Sequence, residues 1–284
     1  MNTLRNLILL MRPHQWLKNV FVFAGLVFSQ TWDNGALTLK VLGAFAAFCC
    51  ASSLVYIFND WRDRASDALH PVKCKRPLAS GDLSLPPALF LAGLLLLGAL
   101  GLAANNTLLL LLLAMYVLQN LAYSWRLKTV PVVDVFVIAA GFMLRLLAGT
   151  LAMGIPPSRW LLLTGLFMAL FLGFSKRKAE SFHDVQSQRA VMVHYTSTLL
   201  DTFMAVTMTA AITTYSLFAS SPEATAQHGE RLIYSIPIVI FALMRYTLKV
   251  HRGHGEDISR DLLRDPWILL SAALWLMIFL GRRI

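Results

Sequence analysis

One segment of the sequence, between residues 59 and 67, reads Asn59-Asp60-Trp61-Arg62-Asp63-Arg64-Ala65-Ser66-Asp67. Successive residues of an α-helix are about 100° apart around its axis, so Asp60, Asp63 and Asp67 would share one helix edge. Carboxylates at this spacing repel each other unless a cation lies between them. Mg²⁺ prefers oxygen ligands and keeps positions for water and phosphate. The segment therefore predicts a site for Mg²⁺ and a diphosphate.

The rest of the chain is too apolar for a water-soluble globule. Of its 284 residues, 57% are hydrophobic and 14% are charged, and the mean hydropathy is +0.62. Apolar runs near the ~20 residues that cross a bilayer occupy residues 15–32, 37–58, 86–104, 107–124, 131–153, 159–175, 195–219, 232–250 and 265–281. We therefore predict an all-α polytopic membrane protein with nine transmembrane helices in a single domain, residues 1–284.

Lys and Arg are concentrated in alternate loops. With the N-terminus in the cytoplasm, 19 of the 25 Lys and Arg residues lie on the cytoplasmic side, and five lie outside. Because positive residues are enriched in cytoplasmic loops, this bias predicts an inner-membrane protein with residues 59–67 at the cytoplasmic face. Topology and anionic headgroups account for the net charge of +10, and no motif indicates nucleic-acid binding.

Further polar residues border the spans and could contact a bound polyanion together with the aspartates. Those in or beside the cytoplasmic loops are Lys18, Lys73, Arg76, Tyr123, Lys128, Asp134, Lys176, Arg177 and Glu180. Arg145 instead lies well inside an apolar run, where ionised side chains are costly and usually functional, so we expect it to face inward. The alternative for each basic residue is a contact with lipid headgroups.

The pattern Asn59-Asp60-x-x-Asp63-x-x-x-Asp67 resembles the NDxxDxxxD motif of the UbiA-type intramembrane prenyltransferase superfamily. Tyr123-x-x-x-Leu127-Lys128 stands where that superfamily carries a Tyr/Lys loop element after its fourth span. The resemblance implies a bundle around a central cavity that opens to the cytoplasmic side. It also implies that the three aspartates bind Mg²⁺ or Mn²⁺.

Five shorter patterns narrow the resemblance. They are Arg12-Pro13-x-x-Trp16-x-Lys18-Asn19, His70-Pro71-x-Lys73-x-x-Arg76-Pro77, Pro131-x-x-Asp134, Phe142-x-x-Arg145 and Ser175-Lys176-Arg177-x-Ala179-Glu180. Together they resemble the decaprenyl-phosphate phosphoribosyltransferase family. That resemblance implies transfer of phosphoribose from phosphoribosyl diphosphate to a polyprenyl phosphate held in the bilayer, with release of diphosphate. Lipid-linked arabinose synthesis is the downstream route that it implies.

The segment after the sixth span distinguishes two kinds of donor. Prenyltransferases with aromatic acceptors usually carry a second aspartate-rich motif there, whereas this chain reads Ser175-Lys176-Arg177-Lys178-Ala179-Glu180-Ser181-Phe182-His183-Asp184. Three cations precede the two acids, which favours a donor with an additional phosphate over one that ends in hydrocarbon. Glu180 or Asp184 could ligate metal, or the segment could be a surface helix of mixed charge.

The candidate catalytic residues are Asp60, Asp63 and Asn59. Asn59 could bind phosphate or orient an aspartate, or it could bond to a neighbouring helix. Asp67 could contact metal through water or pair with Lys73. For Asp60 and Asp63, the alternative is a hydrated helix end at the interface.

Two other functions compete with phosphoribosyl transfer. The enzymatic alternative is a UbiA-type aromatic prenyltransferase that uses a prenyl diphosphate donor for a quinone or haem side chain. The non-enzymatic alternative is a lipid-phosphate carrier, which is less favoured because transporters tend to show midplane charge and inverted repeats. A homo-oligomer is compatible with either kind of function.

Overall fold

The computed structural model describes residues 3–69, 73–182, 190–255 and 258–281, and all the regular structure in these ranges is helical. The α-helices are α1 (Thr3–Met11), α2 (Ala24–Phe28), α3 (Gly35–Arg62), α4 (Arg64–Ala68), α5 (Leu85–Ala103), α6 (Thr107–Trp125), α7 (Val133–Met153), α8 (Arg159–Glu180), α9 (Ser197–Ala219), α10 (Pro222–His228), α11 (Ile236–His251), α12 (Ile258–Arg264) and α13 (Pro266–Leu280). Segments of 3₁₀-helix cover Pro13–Phe23, Lys73–Lys75, Leu127–Thr129, Ala190–His194 and Glu230–Ser235.

Seven of the nine predicted spans form helices long and apolar enough to cross a membrane. They are Gly35–Arg62, Leu85–Ala103, Thr107–Trp125, Val133–Met153, Arg159–Glu180, Ser197–Ala219 and Glu230–His251. The bounds of these helices closely follow the apolar runs in the sequence. The prediction of an all-helical, multi-pass membrane protein is confirmed.

The first and last predicted spans take other forms. The sequence predicts one α-helix over residues 15–32, but the 3₁₀ segment Pro13–Phe23 and the short helix α2 occupy most of this range. The last span, α13, has 15 residues. Hydropathy counts apolar residues and does not distinguish 3₁₀ from α hydrogen bonding, so the sequence could not show this difference. Nine membrane crossings stay a prediction.

The start of the 3₁₀ segment is fixed by a proline and by contacts to α3. Arg12, which precedes Pro13, has a left-handed backbone with φ 53°. Helix α1 ends just before it, because a proline disfavours right-handed helical geometry at the preceding residue. Ser53 of α3 then joins both elements. Its hydroxyl donates to the carbonyl of Met11 at 2.9 Å and accepts from Trp16 Nε1 at 3.0 Å.

Contacts divide the chain into two units, Met1–Arg126 with Leu144–Pro157, and Leu127–Met143 with Ser158–Ile284. Helix α7 therefore contributes its second half to the first unit and its first half to the second. A single domain over the whole chain stays a prediction.

Helix α3 lies at the centre of the first unit. Its buried alanines, Ala44, Ala47 and Ala51, allow close packing by neighbouring helices. In the same unit, α7 lies directly against the 3₁₀ segment Pro13–Phe23 at Gly149, where an added Cβ would lie 1.7 Å from the carbonyl oxygen of Val22. By contrast, α5 exposes a row of large apolar side chains that suits contact with lipid.

In the second unit, α8 packs along α9. The rings of Phe174 and Phe203 lie 4.9 Å apart between their centroids. Ser158 and Thr196 cap the two helices, each accepting a backbone N–H three residues ahead. Gly173 brings α8 against the first half of α7, where an added Cβ would lie 2.6 Å from Val135 Cγ1.

Candidate active site

The aspartate segment keeps its helical spacing through a break at Asp63. Helix α3 ends at Arg62 and α4 begins at Arg64, but the Asp63 N–H donates to Asn59 O at 2.9 Å. The Asp67 N–H donates to Asp63 O at 2.8 Å. The predicted helix edge is therefore present in the backbone.

Two of the three carboxylates are buried and share cationic partners. Asp60 and Asp67 are 2% and 4% exposed. Asp60 Oδ1 accepts from Arg12 Nη2 at 2.5 Å and from Arg76 Nη1 at 3.1 Å. The same Nη1 of Arg76 donates to Asp67 Oδ2 at 2.5 Å. We call these four residues the aspartate–arginine cluster.

Asp63 does not join this cluster. Its side chain is 34% exposed and pairs with Arg62 Nε at 3.3 Å. In the described ranges, no three His, Cys, Asp or Glu side chains form a group that could hold a metal ion. Two of the three carboxylates therefore share a cationic partner in this structure, and a metal site with all three aspartates stays a prediction. Asp67 pairs with Arg76, whereas the sequence suggested Lys73.

The buried carboxylate pair nevertheless fits a divalent cation. Oδ1 of Asp60 and Oδ2 of Asp67 both lie within 3.1 Å of one guanidinium nitrogen, so both face the same positive charge. Mg²⁺ in proteins commonly takes one or two carboxylates and completes its shell with water and phosphate. Asp60 and Asp67 supply such a donor set.

Arg12 belongs to one of the family-like patterns but was not predicted as a site residue. Its guanidinium carbon lies 5.1 Å from the centroid of the Tyr56 ring, and its backbone is left-handed. A non-glycine residue in this conformation costs of order 1–3 kcal/mol and is commonest at functional sites. The pattern Arg12-Pro13-x-x-Trp16-x-Lys18-Asn19 was the sequence signal that could have indicated this role.

The remaining predicted residues of the first unit lie at different depths. Asn59 Oδ1 accepts from the Ser124 hydroxyl at 2.7 Å, so the interhelical bond considered for Asn59 is present. Lys18 and Tyr123 are half-buried, and Lys73 is exposed. Their roles at a substrate stay predictions.

Arg145 is buried, with 6% of its surface exposed. Its Nε donates to Asn19 Oδ1 at 2.7 Å, and its Nη2 donates to the Tyr116 hydroxyl at 2.8 Å. The guanidinium also lies over the Tyr116 ring, 4.7 Å from the centroid. Arg145 thereby joins α7, the 3₁₀ segment and α6 within the first unit.

A second ionic network lies in the second unit. Asp134 and Arg177 have no exposed side-chain surface, and Arg177 Nε lies 2.7 Å from Asp134 Oδ2. Arg177 Nη1 also pairs with Glu180. Tyr195, which sequence reasoning missed, donates to Asp134 Oδ1 at 2.7 Å. We call these four residues the Asp134 network.

Tyr195 lies just before α9, outside the long apolar helices. Burial raises the pKa of its hydroxyl, and the hydrogen bond to Asp134 raises this pKa further. The hydroxyl also accepts the Val132 N–H at 2.6 Å. It is therefore a protonated donor at neutral pH.

The basic segment after the sixth span is largely neutralised within the protein. Arg177 is bound by two carboxylates, and the buried Lys178 donates to Ser197 Oγ at 2.6 Å and to Asp201 Oδ2 at 2.8 Å. Lys176 is half-buried. Charge in this segment is thus a weaker argument for an additional donor phosphate than the sequence suggested. Lys128 is half-buried in the same unit, whereas Asp184, like His70 and Pro71, lies outside the described residues.

Comparisons with known proteins show which family the sequence matches. The model of the UbiA prenyltransferase family matches residues 19–264. A decaprenyl-phosphate phosphoribosyltransferase of Mycolicibacterium smegmatis is 32% identical, covering 97% of this chain and 91% of the relative. The enzyme of the same name from Corynebacterium glutamicum is 33% identical, covering 93% and 82%.

Solved structures share the fold. A UbiA homologue from Archaeoglobus fulgidus bound to DMAPP and Mg²⁺ superposes with a TM-score of 0.72 at 20% identity, covering 97% of this chain and 98% of the homologue. At that identity the likeness shows the fold alone. The family match extends over most of the sequence, and this chain belongs to the UbiA prenyltransferase family.

Proposed function

We propose that this protein transfers phosphoribose from phosphoribosyl diphosphate to a polyprenyl phosphate in the membrane. The observation that carries the proposal is identity of about one third to phosphoribosyltransferases over nearly the full length of both chains. The whole chain, rather than one motif, supports the assignment. The product would be a polyprenyl-phosphoryl phosphoribose, of the kind used for lipid-linked arabinose in a cell envelope.

In this reaction the bond between ribose C1 and the diphosphate breaks, and an acceptor phosphate oxygen bonds to C1. Asp60 and Asp67 would hold Mg²⁺, and Asp63 would contribute from the exposed side of the segment. When bound, the metal supplies positive charge that stabilises the departing diphosphate. Because the acceptor oxygen is already anionic, no strong general base is needed, and catalysis depends on positioning and electrostatics. Attack opposite the leaving group gives inversion at C1.

Basic side chains of this chain would bind the phosphates of the two substrates. Arg76 lies beside both buried carboxylates and is therefore best placed to contact the phosphates of the ribose donor. Lys18, Lys73, Tyr123, Lys128 and Lys176 are the further candidates. Asn59 would orient the end of α3, and Arg145 would hold the helices that surround the site. Asp134, Arg177 and Glu180, which pair with one another in the second unit, are also proposed to bind substrate.

We also propose nine membrane crossings in one domain, with the active site on the cytoplasmic side of the inner membrane. The first crossing would combine the 11-residue 3₁₀ segment and the five-residue α2. At rises of about 2.0 and 1.5 Å per residue, these give a length on the order of 30 Å, which matches a hydrocarbon core. The ninth crossing would be α13.

The decisive experiment follows label into lipid. Purified protein in detergent is incubated with Mg²⁺, phosphoribosyl diphosphate labelled in the ribose, and a polyprenyl phosphate. We expect label in the organic phase, dependent on both the acceptor and the metal, and a loss with Asp60→Asn. The same yield from wild type and Asp60→Asn would contradict the proposal.

A parallel reaction tests the aromatic prenyltransferase alternative. Labelled geranyl diphosphate and 4-hydroxybenzoate replace the two substrates, and the product is separated by chromatography. Prenylated product together with no transfer of ribose would assign the protein to that class. We expect no prenyl transfer, because the similar full-length relatives carry the phosphoribosyltransferase name.

A further inference from the structure

Two arginines from distant parts of the chain converge on the buried carboxylates. Arg12 ends α1, and Arg76 follows the 3₁₀ segment Lys73–Lys75. Their side chains are partly exposed, 23% and 29%, whereas the Asp60 side chain is 2% exposed. Each arginine side chain is therefore partly accessible while its guanidinium group pairs with a buried carboxylate.

The charges of the aspartate–arginine cluster balance. Two carboxylates and two guanidinium groups sum to zero, which suits a buried group of charges. Adding a divalent cation while both arginines stay would leave two uncompensated positive charges in the same volume. Metal binding at Asp60 and Asp67 therefore requires that the arginines move or that further anions arrive.

A phosphorylated donor supplies those anions. Guanidinium groups bind phosphate oxygens as well as carboxylates, because their fork of N–H donors matches both. Arg76 is partly exposed and so needs only a side-chain rotation to exchange one anion for the other.

We propose that Arg12 and Arg76 are internal counter-cations of Asp60 and Asp67, which a divalent metal displaces, and that the displaced guanidinium groups bind the phosphates of the donor. The identity of the donor rests on the proposed function, but the exchange itself does not. Metal and diphosphate then assist each other's binding. Without diphosphate, the arginines compete with metal for the carboxylates.

This exchange predicts opposite effects of one substitution on two ligands. Arg76→Gln removes the competitor, so Mn²⁺ alone should bind roughly tenfold more tightly, as expected for loss of a unit charge a few ångströms away. Inorganic diphosphate in saturating Mn²⁺ should bind roughly tenfold more weakly, because a cationic contact is lost. A merely structural role for Arg76 would weaken both.

Binding of Mn²⁺ is measured by the loss of the free-ion EPR signal on titration of purified full-length protein, and diphosphate by equilibrium dialysis of the labelled anion. Arg76→Lys keeps the charge and should leave Mn²⁺ affinity near that of wild type. Arg64→Gln removes an exposed cation of the same segment and should change neither affinity. Arg12→Gln repeats the test if Arg76→Gln does not fold.

The outcomes separate this inference from the proposed function. Tighter Mn²⁺ binding by Arg76→Gln supports the exchange even if ribose transfer is not found. Equal or weaker Mn²⁺ binding by both Arg76→Gln and Arg12→Gln overturns it, whichever donor the enzyme uses. Absence of Mn²⁺ binding in wild type and in both variants also overturns it.

Discussion

Arg177 Nε and Asp134 Oδ2 form an ion pair at 2.7 Å in which neither side chain has exposed surface. Two charges withdrawn from water are stable only while each compensates the other. Glu180 and Tyr195 add further hydrogen bonds to the same pair. We infer that the first role of this pair is to hold the start of α7 against the end of α8.

Replacing Arg177 by Met should destabilise the protein by about 3–5 kcal/mol, because Asp134 is left as an uncompensated buried charge. The double variant Arg177→Met, Asp134→Leu should recover part of this loss, since no buried charge remains in the pair. Thermal unfolding of the detergent-solubilised protein, followed by fluorescence-detected size exclusion, measures both effects.

A surface ion pair provides the matched control for Arg177. Arg159 and Glu223 lie 3.6 Å apart with 73% and 67% of their side chains exposed. Arg159→Gln should cost about 0–1 kcal/mol, as exposed pairs usually do. If Arg177→Met proved no more damaging than this control, a structural role for the buried pair would be wrong.

Tyr195→Phe should cost about 1–3 kcal/mol at neutral pH, because Asp134 loses a donor and the Val132 N–H loses its acceptor. The raised pKa of Tyr195 adds a pH dependence. The folded state favours the protonated hydroxyl, so this contribution is complete below the unfolded pKa of about 10 and is lost as pH rises above it.

Comparing wild type and Tyr195→Phe in thermal unfolding at several pH values checks this prediction. The stability gap should be constant from pH 7 to 9 and should narrow at pH 11. Other groups titrate equally in both proteins and cancel in the comparison. A gap that widened at high pH would contradict the hydrogen bond to Asp134.

The long spans were predictable because their apolar runs exceed what a soluble core helix needs. Helix Gly35–Arg62 and the six other long helices could be predicted from this property alone. The first span was different, since the change to 3₁₀ geometry after Arg12 depends on hydrogen bonding and on contacts with Ser53. A hydropathy profile reports neither the hydrogen-bonding pattern nor these contacts.

The sequence predicted which charged residues are buried at the site better than it predicted which residues they contact. Asp60 and Arg145 stood out because charges are rare within apolar sequence, and both are buried in the structure. Their partners could not be assigned, because Arg12 precedes Asp60 by 48 residues and Asn19 precedes Arg145 by 126. Such distant pairs depend on how the helices pack.

Gly149→Ala should prevent accumulation of folded protein, because an added Cβ would lie 1.7 Å from the Val22 carbonyl oxygen. Relief would need the 3₁₀ segment to move away from α7. Gly93→Ala is the matched control, since no atom lies within 4 Å of an added Cβ there. Removing this helical glycine should stabilise the protein by about 0.5–1 kcal/mol. The monodisperse yield from size exclusion distinguishes the two, and equal yields would contradict the close approach.

The three aspartates should differ in their effect on catalysis. Asp60→Asn and Asp67→Asn change the buried carboxylate pair and should lower kcat/KM for phosphoribose transfer by about 100-fold or more, whereas the partly exposed Asp63→Asn should lower it roughly tenfold. Initial rates of label transfer into lipid measure this order. Asp82→Asn, which changes an exposed acid bonded to Ser80, should leave the rate unchanged. Equal losses for Asp60, Asp63 and Asp67 would instead favour a three-carboxylate metal site.

Arg145→Lys should destabilise the protein by about 1–3 kcal/mol although it keeps the charge, because one ammonium nitrogen cannot replace two differently directed N–H donors. Tyr116→Phe removes one of the same bonds, so the losses in the double variant should be less than additive. Arg245→Lys is the control, because Arg245 is 30% exposed and pairs with Asp265 through Nε alone in the described residues. Additive losses at Arg145 and Tyr116 would show that the two side chains act separately, and Arg145 would then not couple α7 to α6.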